Sequence, residues 1–249
     1  MGIKLPTKKI KPKDDNPKFM VLFGKPKSGK TTIAAALENN LIIDLEKGAG
    51  FVEAMKIGAN DLSDLKEIKQ AIIDNNYPYD YITLDTATAL EEMILPLAKA
   101  KYKDTPMGKK FTGNDVRELE HGAGYLYIRE AYKEVVDNFR GLAPHIILLG
   151  HTKEKQINKE GKELSENALD LSGKLANIMS AKADALGFIY RKKNKTILNF
   201  NGGDNSIVEA RPFHLRGQEI VIAESDDKGN LTTHWDKIFK PNKEEKQAA

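Results

Sequence analysis

At 249 residues, with 40% hydrophobic and 30% charged side chains, the chain has the composition of an ordinary globular protein and material for one large core or two small ones. A net charge of +3 does not by itself argue for a nucleic-acid partner, and the lack of cysteine excludes disulfides, cysteine-ligated zinc and thiol catalysis. No run approaches the roughly 20 apolar residues that cross a bilayer, and residues 1–15 lack the apolar stretch of a signal peptide, so a soluble, cytoplasmic chain with no membrane partner is expected.

Residues 1–17 are rich in Lys and Pro and read as a flexible basic arm. The apolar run Phe19-Met20-Val21-Leu22-Phe23 reads as a strand, and Gly24-Lys25-Pro26-Lys27-Ser28-Gly29-Lys30-Thr31 follows it. The spacing is G-x-x-x-x-G-K-S/T between strand and helix, the context in which this Walker A pattern is specific. Glycines let the backbone curl until successive N–H groups converge on phosphate oxygens. Lys30 supplies a point charge to the outer phosphates, and Thr31 offers a hydroxyl to Mg2+. The helix opened by Lys30, Thr31 and Thr32, expected to run to residue 38, turns its positive end toward the same anion. A nucleoside triphosphate is the ligand that these residues imply.

Leu41-Ile42-Ile43-Asp44-Leu45-Glu46 reads as a buried strand ending in acid, at the strand end where ligands gather in open α/β sheets. Helices are expected at 50–57 and 62–74. Tyr79-Asp80-Tyr81-Ile82-Thr83-Leu84-Asp85 is a further strand with a terminal acid, the form of a Walker B strand whose carboxylate reaches Mg2+ through water. Residues 86–101 read as helical, and 101–113 as a mobile polar loop. A long helix over 114–140 is expected to break near Gly122-Ala123-Gly124. His145-Ile146-Ile147-Leu148-Leu149-Gly150 is a buried strand, with His151 and Thr152 where its end would face the nucleotide. Residues 153–170 form a charged loop of a length unusual inside a compact domain, and 171–182 a helix.

From residue 185 the pattern changes to short strands. Residues 185–190 and 196–200 read as a hairpin about Arg191-Lys192-Lys193-Asn194-Lys195, and strands are expected at 207–210 and 219–223. The expected organisation is a basic arm (1–17), a core (18–225) and a polar extension (226–249). The expected fold class is α/β, a mainly parallel central sheet flanked by helices and extended by antiparallel C-terminal strands.

These stretches, in this order, resemble the RecA-like P-loop ATPases, particularly phage-type, core-only recombinases and AAA-domain nucleotide-binding proteins. The resemblance covers residues 18–200. Ile43-Asp44-Leu45-Glu46 is similar to the segment that ends in the family's catalytic glutamate, and residues 82–90 to its Walker B strand and continuation. Leu148-Leu149-Gly150-His151 falls where the family has a polar sensor of the γ-phosphate, although bacterial RecA has glutamine there. Glu53 stands where RecA has an adenine-stacking aromatic. Ser172-Gly173-Lys174-Leu175-Ala176-Asn177 resembles the return from the second DNA-binding loop. Lys193-Asn194-Lys195 resembles the Lys-x-Lys pair that reaches a neighbouring subunit's ATP.

The resemblance implies hydrolysis of ATP by a positioned water. Glu46 would polarise the water, Lys30 and Mg2+ (through Thr31 and Asp85) would offset phosphate charge, and His151 would sense the γ-phosphate. It further implies action on single-stranded DNA, a homo-oligomer or filament, and a single-strand binding or annealing protein as partner. The candidate DNA loops are 101–113, with Lys101, Lys103, Lys109 and Lys110 near Tyr102 and Phe111, and 153–170, with Lys153, Lys155, Lys159 and Lys162. The same segments also read as ordinary solvated loops. Two other function classes stay open: a small-molecule phosphotransferase, which usually clamps phosphate with lid arginines, and a nucleotide-dependent adaptor.

Overall fold

The computed structural model describes residues 5–10, 14–159, 162–202 and 207–241. The chain forms β1 (Phe19–Gly24), α1 (Lys30–Ala35), β2 (Asn40–Asp44), β3 (Lys56–Gly58), α2 (Leu62–Asp74), β4 (Tyr81–Asp85), α3 (Ala87–Met93), α4 (Leu95–Lys103) and α5 (Gly124–Phe139). It continues through β5 (His145–Lys159), β6 (Lys162–Leu169), α6 (Leu175–Lys182), β7 (Ala185–Lys192), β8 (Lys195–Asn199), β9 (Glu209–Ala210), β10 (Glu219–Ser225) and β11 (Leu231–Thr233).

Alternation along β1 decides the layering. Phe19, Val21 and Phe23 enter one buried cluster, and Met20 and Leu22 the other, because successive side chains of a strand point to opposite faces. A strand apolar on both faces belongs inside a covered sheet. Accordingly β1 lies between β5 and β7, parallel to both, and β5, β4, β2 and β3 continue the parallel part to one edge. Beyond β7 the order runs β8, β10, β11, all antiparallel, and β9 pairs antiparallel with β7. The expected mainly parallel sheet with antiparallel C-terminal strands is what forms.

The Phe19 face is covered by helices. Leu65, Ile68 and Ile72 of α2 lie at three- and four-residue spacing and meet α3, α5 and α6 there, with Tyr132 and Phe139 among the largest buried side chains. The opposite face is closed by Ile33 and Ala34 of α1 and by Trp235, Ile238 and Phe239. Trp235 Nε1 donates to the Ile33 carbonyl at 2.9 Å, so part of the expected polar extension is core.

Elsewhere the chain departs from its expected local structure. The stretch expected as a helix at 50–57 is a 3-10 turn (Ala49–Phe51) followed by the exposed edge strand β3. Lys56 Nζ, donating to the carbonyls of Ala49 (2.6 Å) and Val52 (2.7 Å), holds the turn closed. Residues 86–103 form two helices rather than one, since Pro96 is tolerated only in a first turn and starts α4. The segment at 101–113 is ordered instead of a loose loop: α4 takes its start and a 3-10 turn spans Gly108–Lys110. Tyr102 packs edge-on against Phe111 at 5.3 Å and against Tyr127 at 5.1 Å.

The largest departure is at 153–170. β5 runs on past the sheet and β6 returns antiparallel along it, from Thr152↔Leu169 to Lys159↔Lys162. The expected loop is a two-stranded ribbon. Among the described residues, no helix is long and apolar enough to cross a membrane.

Candidate nucleotide site

The carboxyl ends of the parallel strands bring the sequence-derived residues together. Gly24 lies in register with His151 on one side and Ile189 on the other, and Asp44 with Asp85. The loop after β1 curls tightly: Ser28 N donates to the Lys25 carbonyl at 3.2 Å, and Lys27 and Gly29 take φ values of 64° and 96°. A Cβ on Gly24 would meet the Ile189 carbonyl oxygen at 2.4 Å, so the start of the loop admits only glycine. Ser28 Oγ is buried with no hydrogen-bond partner among the described residues. An orphaned polar atom at that place suits a loop that is completed by a ligand.

Lys30, 6% exposed, donates from Nζ to the carbonyls of Gly24 and Lys25, each at 3.0 Å. Burial lowers its pKa, and the nearby charges of Asp85 and Glu46 oppose that shift. Thr31 Oγ1 donates to Asp85 Oδ2 at 2.6 Å. Asp85 is itself 6% exposed, and burial raises its pKa against the bond from Thr31, so a carboxyl so placed gains from a cation beside it. A hydroxyl and a carboxylate are hard oxygen donors of the kind Mg2+ takes. Among the described residues no group of three or more His, Asp or Glu side chains forms a metal cage.

Two acids close together at the end of β2 have different surroundings. Asp44 accepts from the backbone N–H of Glu46 (3.1 Å), Gly48 (3.1 Å) and Ala49 (2.9 Å), and so folds the turn that presents Glu46. Glu46 Oε1 accepts from Thr86 Oγ1 at 2.5 Å and lies 3.2 Å from His151 Nε2. Thr86 caps α3 after the cis Asp85–Thr86 peptide, which ties the carboxylate to the Walker B-like strand. Because a carboxylate only accepts, the contact assigns the proton to His151 Nε2 in the neutral ring. Its Nδ1 is then a buried acceptor with no partner among the described residues.

Pro26, Lys27, Gly29, Lys30, Thr31, Thr32, Asp44, Glu46, Gly48, Val52, Asp85, Thr86, His151 and Arg191 line a cavity of about 480 Å³. Lys25 sits at the rim, 3.6 Å from Glu154 of the ribbon. Arg191 is a lining residue that the sequence reading passed over, as are Gly48, Val52 and Thr86; it stands first in a basic run that reads as a hairpin tip. Its signal was positional: β7 pairs with β1, and Arg191 is two residues beyond the partner of Gly24.

The remaining candidates are spread out. Lys195 pairs with Glu224 of the same chain at 3.4 Å, and Lys193 is exposed in the turn with φ 57°. Lys101 pairs with Glu134 at 2.6 Å, whereas Lys103, Lys109 and Lys110 are exposed. Tyr102 is engaged with Phe111 and Tyr127, not displayed for stacking. On the ribbon, Lys153 donates to the Leu171 carbonyl at 2.5 Å and pairs with Asp170 at 3.5 Å, and Lys155 is exposed. Lys159 and Lys162 face each other in backbone register, their side chains lying outside the described residues, as do parts of the basic arm (1–4 and 11–13).

No curated protein matches the chain. Among solved structures it is similar to the RadB recombinase, at 10% identity over 88% of this chain and 92% of that one, with a TM-score of 0.48. It is also similar to a KaiC-like protein from the hyperthermophilic archaeon Pyrococcus horikoshii, at 12% identity over 87% and 89%, with a TM-score of 0.47. At these values neither likeness says anything about activity. The family profile described as AAA domain matches residues 16–228, a span that takes in every strand beside the phosphate loop. The chain therefore belongs to the AAA domain family, as a P-loop ATPase.

Proposed function

We propose that this ATPase hydrolyses ATP with Mg2+ at the Gly24–Thr31 loop and uses the cycle to act on single-stranded DNA in phage-type recombination, annealing or replication. The observation behind the hydrolytic half is the placing of Glu46: Asp44 folds its turn, and Thr86 and His151 hold its carboxylate beside the loop. Glu46 orients and polarises the attacking water and accepts its proton as the water oxygen bonds to the γ-phosphorus and the bond to the β–γ bridging oxygen breaks, with ADP as the leaving group. Lys30 leaves its two backbone carbonyls for the phosphate oxygens, a stronger, charge-assisted partnership. His151, donating from Nε2 to Glu46, is the group positioned to exchange that bond for a γ-phosphate oxygen. Thr31 and Asp85 hold the Mg2+, which when bound offsets charge on the outer phosphates.

The DNA half is supported by continuity. One strand, β5, carries His151 at the site and then runs out as the ribbon bearing Lys153 and Lys155, with Lys25 of the phosphate loop linked to Glu154 between them. A change at the nucleotide thus has a short covalent and electrostatic route to a protruding element that carries lysines interleaved with glutamates. The exposed Lys103, Lys109 and Lys110 offer a second phosphate-binding patch. A phosphotransferase reading is weakened at Arg117, the arginine nearest the 101–113 segment: Asp115 (2.6 Å) and Glu92 (2.7 Å) engage it, so it is not a free clamp for a moving phosphate.

Binding is tested by fluorescence anisotropy with a labelled, mixed-sequence single-stranded oligonucleotide, with and without ATP. Binding that weakens steeply as salt rises is expected, because lysine–phosphate contacts release counterions. No detectable binding at low salt in either state would remove single-stranded DNA as the substrate.

A further inference from the structure

The nucleotide cavity contains a cation for which the mechanism above has no use. Arg191 lies at the end of β7, fixed in register opposite Thr196 of β8, and its guanidinium reaches back over the phosphate loop. A methyl group placed on Gly29 would come within 3.2 Å of its terminal nitrogen and 3.5 Å of Nε. Of the loop cations, Lys30 donates to two carbonyls and Lys25 faces Glu154; Lys27 is exposed, as is Arg191, but the Arg191 guanidinium lies against the loop backbone. The Arg191 side chain makes no hydrogen bond or ion pair among the described residues, although Asp44, Glu46 and Asp85 line the same cavity. An unpaired guanidinium laid against a phosphate-binding backbone is a preformed, bidentate anion donor.

Its side of the loop decides which phosphate it meets. His151 is on β5 and reaches Glu46, whereas Arg191 is on β7, and the phosphate loop's own strand β1 runs between β5 and β7. The groups assigned to the γ-phosphate are thus on one flank and Arg191 on the other. We propose that Arg191 binds, from within the same chain, the α- and β-phosphates that ATP and ADP share. It is a ground-state binding residue that sets affinity for substrate and product alike, and it needs no neighbouring subunit. This inference rests on the loop being a triphosphate site. It also separates Arg191 from Lys193 and Lys195, which act only if a second subunit docks there.

The test is titration of the full chain with ADP and Mg2+ at low salt, across a tenfold range of protein concentration. Arg191→Ala is expected to weaken ADP binding about tenfold, the size of one lost charge-assisted phosphate contact. Arg191→Lys should recover part of the loss, because it returns the charge without the fork. Lys192→Ala, one residue further along, should bind as the wild type does. Binding of ADP by Arg191→Ala within about twofold of the wild type, with an unchanged melting temperature, would overturn the proposal. So would a deficit that disappears on dilution, which would place the contact between subunits. Wild-type protein that binds no nucleotide would instead remove the underlying reading of the loop.

Discussion

Glu46→Gln protein is expected to bind ATP as the wild type does and to turn it over about a hundredfold or more slowly, the range of a lost general base. The amide keeps the shape that Thr86 and His151 hold, since its oxygen can still accept the Thr86 hydroxyl now bonded to Glu46 at 2.5 Å. What it loses is the capacity to take a proton from water. Asp44 cannot take over, because its oxygens already accept three backbone N–H groups. Steady-state phosphate release, with nucleotide affinity measured on the same preparation, separates the two effects. Unimpaired hydrolysis by the variant would remove Glu46 from the chemistry and leave its position to be explained as structural.

Lys30→Ala is expected to abolish measurable nucleotide binding while leaving a folded chain. Truncating one partner of a buried charge pair costs about 2–5 kcal/mol, and about 1.4 kcal/mol is tenfold in affinity, so a loss of about thirtyfold to several thousandfold follows. The fold survives for a reason visible in the surroundings of Lys30. Burial depresses the Lys30 pKa, so the ammonium is held at a desolvation cost that its removal relieves, against the two carbonyl contacts that it gives up. A cooperative thermal transition near that of the wild type, together with a flat nucleotide titration, is the expected pair of results. Wild-type affinity in this variant would mean that nucleotide binds elsewhere.

The phosphate loop was legible in the sequence because its spacing is a steric requirement: Gly24 sits where a Cβ would strike a carbonyl oxygen, and Gly29 at a positive φ. The parallel strands were legible because their two-sided burial leaves unbroken apolar runs, and the residues that follow such runs must fall at one edge of the sheet. That is how Asp85, Glu46 and His151 could be named before their distances were known. The ribbon was not legible. Its alternation sets Lys153 and Lys155 against Glu154 and Gln156, which is charged and polar on both faces, so the period of two carries no apolar signal. Residues 49–58 misled for the opposite reason. Phe51, Val52, Met55 and Ile57 suggest a helix face, yet Phe51, Met55 and Ile57 are exposed about a turn and an edge strand. Trp235 was hidden in polar surroundings, although an indole with a backbone acceptor is a core anchor. Arg191 was lost among its basic neighbours, because only pairing between β1 and β7 brings it to the loop.

Steady-state ATP hydrolysis by the wild-type chain, measured at low salt with and without a single-stranded oligonucleotide, addresses the proposed coupling of nucleotide site and ribbon most directly. Hydrolysis that rises when DNA is added, and that Glu46→Gln eliminates in both conditions, is the predicted result. A rate indifferent to DNA, or turnover that appears only when a phosphoryl acceptor is supplied, would contradict it.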